Sequence, residues 1–272
     1  MLRKTIKKIY VIFNKHDREP EIFVISYPKS GRTWHRLLVG SYLAKKNNVD
    51  IRDALHTEKL TQKLHLPVLG YRHNGADFLD PWPAHDDRVA DPALWQGKRV
   101  IFLVRDLKDV LASSYFHAKY RSKTFEGEIG AFIRDPRTGA EKILTAWNRW
   151  HATRKLAQAS IVQTYEAMHA NAAGCLAQAL DFAGYGPVDA DVVAQSVHFC
   201  QSDNMRSMEK ENFFKTATLR NKAASANSAK VRAARIGDHV NHLDAADIAY
   251  VDALEQRLGN PFAKRLASAD LD

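Results

Sequence analysis

Apolar residues along this chain alternate between two spacings. Ile22-Phe-Val-Ile25 is a short run of β-branched and aromatic residues, the pattern of a buried strand. From Trp34 the spacing turns helical, with Leu37, Leu38 and Tyr42 on one face. Pro67 to Tyr71 reads as a second short strand, and Arg99 to Val104 is the clearest strand in the chain. Leu107, Val110, Leu111, Ser114, Tyr115 and Ala118 then make a helical stripe, with Asp106 placed to cap it. Helices are predicted over Thr138 to Ala159, Glu166 to Ala183 and Asp244 to Leu258, and a strand over Ser160 to Tyr165. Residues 45–63 show no readable pattern, and Pro81, Pro83 and Pro92 mark a loop. Strands alternating with helices of this length predict an α/β fold, a three-layer α/β/α arrangement around a central parallel sheet.

Composition narrows the picture. A chain of 272 residues, 45% hydrophobic and 26% charged, is an ordinary globular protein, read here as one domain over residues 1–272. Forty Lys and Arg against thirty-one Asp and Glu give a net charge of +9. An anionic partner follows, whether nucleotide, acidic glycan, nucleic acid or membrane surface, and charge alone does not choose. Cys175 and Cys200 are too few for a disulfide framework or a metal site, and are expected as reduced thiols in a cytoplasmic protein. No apolar run is long enough to span a bilayer. Residues 1–20 form a basic extension without the long apolar region of a signal peptide. Within it, Leu2, Ile6, Ile9 and Phe13 face away from Arg3, Lys4, Lys7 and Lys8, so residues 1–13 could dock peripherally on a membrane, although packing against the domain is the favoured expectation. Residues 221–236, rich in Ala, Ser, Lys and Arg, are expected to be a mobile segment.

The chemistry concentrates where the first strand meets the first helix. Tyr27-Pro-Lys-Ser-Gly31 is turn chemistry, and a strand, tight turn and helix together aim backbone N–H groups at one anion. Lys29 and Arg32 add charge there. Against the pattern G-x-x-x-x-G-K-[ST], Ser26 to Thr33 keeps Gly31 and Thr33 but has Ser26 and Arg32 in place of the first Gly and the Lys, a poor match for a magnesium-dependent kinase or ATPase. The string Tyr-Pro-Lys-Ser-Gly-Arg-Thr-Trp closely resembles the 5′-phosphosulfate loop of sulfotransferases, enzymes that use 3′-phosphoadenosine 5′-phosphosulfate (PAPS) as donor. That resemblance implies a P-loop nucleotide-hydrolase-like fold, no metal, and a donor site that includes Lys29, Ser30, Gly31, Arg32, Thr33 and Trp34, with Trp34 stacked on the base.

A second junction, Arg105-Asp-Leu-Lys-Asp-Val-Leu-Ala-Ser113, resembles the family's Arg-Asn-Pro-Lys-Asp-x-x-x-Ser, whose Arg and Ser hold the 3′-phosphate. By position these are Arg105 and Ser113; Asp106 and Leu107 replace Asn and Pro. Thr164-Tyr165-Glu166-Ala-Met168 looks like the family's Tyr-Glu-Asp-Met, with Tyr165 near the adenine. Arg232-Ala-Ala-Arg-Ile-Gly237-Asp238 looks like a late Arg-x-Gly-x-x-Gly segment that closes over the 3′-phosphate, which adds Arg232, Arg235 and Gly237 and would make residues 221–236 a donor cap. Ala234 stands where Gly is usual. The likeness spans roughly residues 20 to 245.

Sulfuryl transfer needs a base for the attacking hydroxyl and positive charge on the leaving phosphate. Lys29 fits the second role. For the base, Lys63-Leu-His65-Leu-Pro67 resembles the Lys-Thr-His-x-Pro of animal cytosolic members, while Arg72-His73-Asn-Gly75 resembles the Thr-His-Asp-Gly of bacterial ones. His73 is preferred because it ends a predicted strand, at the sheet edge where α/β sites lie. Two other readings stay open at this point: a P-loop kinase or NTPase, and a non-catalytic nucleotide or nucleic-acid binder. A nucleotide donor and an acceptor hydroxyl or amine, on a glycan or small metabolite, are the expected partners, with no nucleic acid.

Overall fold

A computed structural model describes residues 18–74, 94–220, 226–232 and 234–268. Four strands, β1 (Ile22–Ser26), β2 (Leu69–Arg72), β3 (Arg99–Val104) and β4 (Ala159–Thr164), pair in parallel in the order β2-β1-β3-β4. The register places Ile25 of β1 beside Arg72 of β2 and Phe102 of β3. All four strands therefore end on one edge, the edge where parallel α/β sheets place ligands.

Side-chain alternation explains the layers. Phe23, Ile25, Val100, Phe102 and Val104 enter one core, and Ile22, Val24, Ile101 and Leu103 enter the other. The first core holds Trp95, Trp147 and Trp150, all fully buried. The second is covered by helix α1 (Arg32–Lys46), whose Gly40 lies so close to the backbone of Ala54 that a Cβ would meet the Ala54 carbonyl oxygen at 1.9 Å. The predicted three-layer fold is the observed one.

Element boundaries differ in instructive places. Residues 45–63, patternless in sequence, contain a 3₁₀ turn (Ile51–Leu55) and α2 (Thr57–Lys63); Ala54, Leu55 and Leu60 are too few apolar positions to register a period. Helix α3 (Leu107–Phe116) is capped by Asp106, whose carboxylate accepts from the Asp109 N–H at 2.9 Å, and runs on into a π-helical turn (His117–Ser122). The helix predicted over Thr138 to Ala159 is shorter, α4 (Ala140–Thr153), followed by a 3₁₀ turn. The helix predicted over Glu166 to Ala183 is two: α5 (Tyr165–Ala170) and α6 (Ala172–Phe182). Asn171 divides them because its side chain caps α6 at the Gly174 N–H. Helices α7 (Ala190–Phe199) and α8 (Ser202–Lys210) went unpredicted, and α9 (Ala245–Leu258) matches its expectation. Residues 1–17, with the expected amphipathic stripe, and the proline-marked loop lie outside the described residues.

Candidate active site

The loop after β1 is built around two left-handed residues. Lys29 has φ 76° and Gly31 φ 90°. Gly31 has no room for a side chain either, since a Cβ would lie 2.7 Å from Cδ2 of Tyr165. The Lys29 ammonium is enclosed, and burial followed by the charges of Lys230, Arg121, Arg105 and Arg232 holds its pKa well below the ordinary lysine value. Ser30 is buried behind the loop, its Oγ without a protein partner. Arg32, Thr33 and Trp34 open α1 and line, with Lys29 and Gly31, a cavity of about 580 Å³.

His73 follows the last residue of β2 and lines the same cavity. Its Nδ1 lies 2.7 Å from the Ser26 carbonyl oxygen. A carbonyl can only accept, so Nδ1 carries the hydrogen and Nε2 keeps a lone pair. Burial, then Arg32, lowers the His73 pKa to about 3 against the opposing bond to Ser26, and the side chain is neutral at physiological pH. His65 is exposed at the end of α2 and does not line the cavity.

Arg105 leaves β3, lies 4.2 Å above the Tyr165 ring, and donates to the Asp109 carboxylate and the Arg235 carbonyl, each at 2.9 Å. Asp109, one helical turn on, also accepts from the Gly237 and His239 N–H groups and faces His239 Nδ1 at 2.9 Å. Burial would raise its pKa, but His239 and Arg105 outweigh that and lower it. With Asp106 and His239 it brings ligand-type atoms within 4.8 Å of one another. Its oxygens already serve protein donors, which makes the group a fastener for the late segment rather than a cation cradle.

Ser113 lines the cavity one further stretch along α3, as do Tyr165 and Arg232. Arg232 stacks 4.1 Å from the Phe116 ring centre and pairs with Asp238 at 2.5 Å. Ala234, with φ 52°, lines the wall in the left-handed conformation that explains why glycine suits that position. The Arg235 side chain is exposed, and Gly237 sits behind the wall at Asp109; both meet the site through their backbones. Trp34, Tyr165 and His169 form an edge-to-face cluster, with centroids 5.8, 4.9 and 4.5 Å apart, at one end of the cavity.

Sequence reasoning missed the second fastener. Glu209, buried on α8, accepts from the Lys230 N–H at 2.6 Å and the Val231 N–H at 3.0 Å. Arg121, from the π turn, reaches Glu209 at 3.3 Å and the Ser228 carbonyl at 3.0 Å. These contacts lay Lys230 into the cavity wall. Asp109 was findable from its spacing four residues after Arg105. Glu209, Arg121 and Lys230 come from three distant stretches and carry no local signal.

A family model for the sulfotransferase domain matches residues 19–261. Cytosolic sulfotransferase 16 of Arabidopsis thaliana is 23% identical over 257 residues, covering 87% of this chain and 75% of that protein. Sulfotransferase 1B1 of Canis lupus familiaris is 33% identical over 113 residues, 38% of this chain and 36% of that one. Among solved structures, retinol dehydratase in complex with retinol and PAP superposes with a TM-score of 0.62 at 12% identity, covering 90% of this chain and 83% of that one. A mouse sulfotransferase complexed with PAP gives 0.60 at 18% identity, covering 91% and 88%. A family match spanning residues 19–261, on a parallel sheet whose loop after β1 and β3–α3 junction carry the two strings that resemble the family's, makes this protein a member of the sulfotransferase family.

Proposed function

We propose that this enzyme transfers a sulfuryl group from PAPS to an acceptor hydroxyl or amine, with His73 as general base and Lys29 at the leaving phosphate. The observation that carries the reading is one cavity walled by Lys29, His73, Arg105 and Ser113, residues from three strand ends and a helix. The wall suits a polyanion. Lys29, Arg32, Arg105, Lys230 and Arg232 line it against Asp109, Asp203 and Asp238, two of which are already paired with Arg105 and Arg232. Arg105 Nε and Ser30 Oγ are buried without protein partners, as donors kept for phosphate oxygens would be. PAP complexes of structural neighbours support the nucleotide class.

The donor supplies an activated sulfuryl group. The chain's own residues do the rest. His73 Nε2 takes the acceptor proton while the Ser26 carbonyl holds the ring by Nδ1–H. Lys29 donates to the oxygen that becomes negative as the S–O bond breaks, and the anionic donor restores the ammonium charge that burial among cations disfavours. Arg105, Ser113 and Arg232 are suited to the 3′-phosphate, and the Trp34–Tyr165 cluster to the base. Among the described residues no helix is long and apolar enough to cross a membrane. Free, buried Cys175 and Cys200 support a cytoplasmic setting.

Purified protein and labelled PAPS test the reading. It is expected to bind PAPS without magnesium; magnesium-dependent ATP binding without PAPS binding would replace it with a kinase or NTPase. His73→Ala should abolish transfer with donor binding retained, and His65→Ala should leave transfer intact. The opposite pattern would move the base to His65.

A further inference from the structure

The cavity holds a lysine, Lys230, to which the family strings assign nothing. Lys230 comes from the described part of the late segment, and its backbone position is fixed by Glu209 and, through Ser228, by Arg121. Its side chain lines the cavity. Arg121, Arg32 and Arg36 crowd it, Glu209 opposes them, and burial ahead of these charges lowers its pKa to about 8. A half-buried lysine among guanidinium groups is disfavoured in the empty cavity and is retained where an anion is to be met.

Which part of the anion is fixed by its neighbours. Lys230 lines the same cavity as Lys29 and His73, and its charge helps lower the pKa of both. Among the cations acting most strongly on each of those two residues, Lys230 alone is common to both. Arg105 and Arg232, which also act on Lys29, are held instead by Asp109 against the Tyr165 ring and by Asp238 against the Phe116 ring. If Lys29 marks the leaving oxygen and His73 the attacking one, a cation close to both lies beside the sulfur that moves between them. Resting on the sulfuryl-transfer reading above, we propose that Lys230 is a further catalytic residue, contacting the sulfuryl oxygens of the donor, and that Glu209 is its positioning residue. In the step concerned, the acceptor oxygen forms a bond to sulfur as the bond from sulfur to the 5′-phosphate oxygen breaks. The acceptor proton goes to His73, and Lys230 stabilises the equatorial sulfuryl oxygens without exchanging a proton.

The test compares two probes that differ only in the sulfuryl group, PAP and PAPS, by calorimetry on the full chain, with labelled sulfate release from PAPS, water serving as the acceptor, as the turnover readout. Lys230→Met keeps the length of the side chain and removes its charge. It is expected to fold with an unchanged or raised melting temperature, to bind PAP within twofold of wild type, to bind PAPS about tenfold more weakly, and to release sulfate at least tenfold more slowly. Lys230→Arg should recover most of the PAPS affinity. Glu209→Gln should shift PAPS more than PAP in the same direction. Equal weakening of PAP and PAPS in Lys230→Met would place the lysine on the 5′-phosphate and overturn the proposal, and so would no change in either. Wild-type protein that binds neither probe would instead remove the sulfuryl-transfer reading beneath it.

Discussion

Gly31 shows how one residue can be fixed by two unrelated demands. Its φ of 90° is strained for any side chain, and the Tyr165 ring fills the place a Cβ would take. Gly31→Ala is therefore expected to displace Tyr165 from beneath Arg105 as well as distort the loop. Calorimetry should show PAP affinity lowered at least tenfold, and thermal unfolding a loss of about 1–3 kcal/mol. Lys29 stands in the same backbone region without glycine's freedom, a strain of about 1–3 kcal/mol held by the surrounding structure. At this scale the sequence was legible where chemistry is local. Tyr27 to Trp34 and Arg105 to Ser113 each carry their string of turn, cationic and helix-start residues within a few positions, and residues of both line the cavity. Lys230 does not, because its neighbours Arg121, Glu209 and Lys29 reach it only through the fold.

Between elements, the decisive contacts are carboxylates on α3 and α8 that hold a late segment in place. Asp109 fastens Gly237 and His239 to α3 while its partner Arg105 holds the Arg235 carbonyl, and Glu209 fastens Lys230 and Val231 to α8 while Arg121 holds the Ser228 carbonyl. Each is buried and each accepts several donors, so removing the charge leaves backbone N–H groups and an arginine unmatched. Asp109→Asn is expected to cost about 3 kcal/mol of stability and to weaken PAP more than tenfold, since Arg105 loses its orientation. Urea unfolding and calorimetry on the same preparation check both parts. Strands and long helices could be read from hydrophobic period, since their two faces carry different cores. The split at Asn171 and the short helices before β2 could not, because capping and packing decided them locally with few apolar positions to reveal it.

For the molecule as a whole, pH dependence follows from histidines held neutral. His35, buried between Tyr71 and Gln163, has its pKa lowered to about 4 by burial, and His73 is lowered to about 3. As pH falls below the unfolded histidine value of about 6.5, the unfolded chain takes up protons that the folded chain refuses, so stability declines with acidification from there. His239 works the other way: its bond to Asp109 raises its pKa, and its contribution is present below about 6.5 and lost as pH rises through the raised value. The lowered groups, His35 and His73 together with His169, predict a melting temperature that falls between pH 6.5 and 4, a window in which the contribution of His239 is already fully present and stays constant. Replacing His35 by Gln should flatten that fall in a pH series of thermal melts, and an unchanged slope would show that His35 is not its source.

The two buried carboxylates also join distant parts of the chain. The cavity takes Lys29, Arg32, His73, Arg105 and Ser113 from the first half of the sequence, Tyr165 to Met205 from the second, and Lys230, Val231, Arg232, Ala234 and Asp238 from near its end. Asp109 and Glu209 each pair with an arginine and accept backbone N–H groups from that last stretch. The positive charge that draws a polyanion is therefore concentrated only where early and late cations meet, and the same two carboxylates that join them give the attraction a shape.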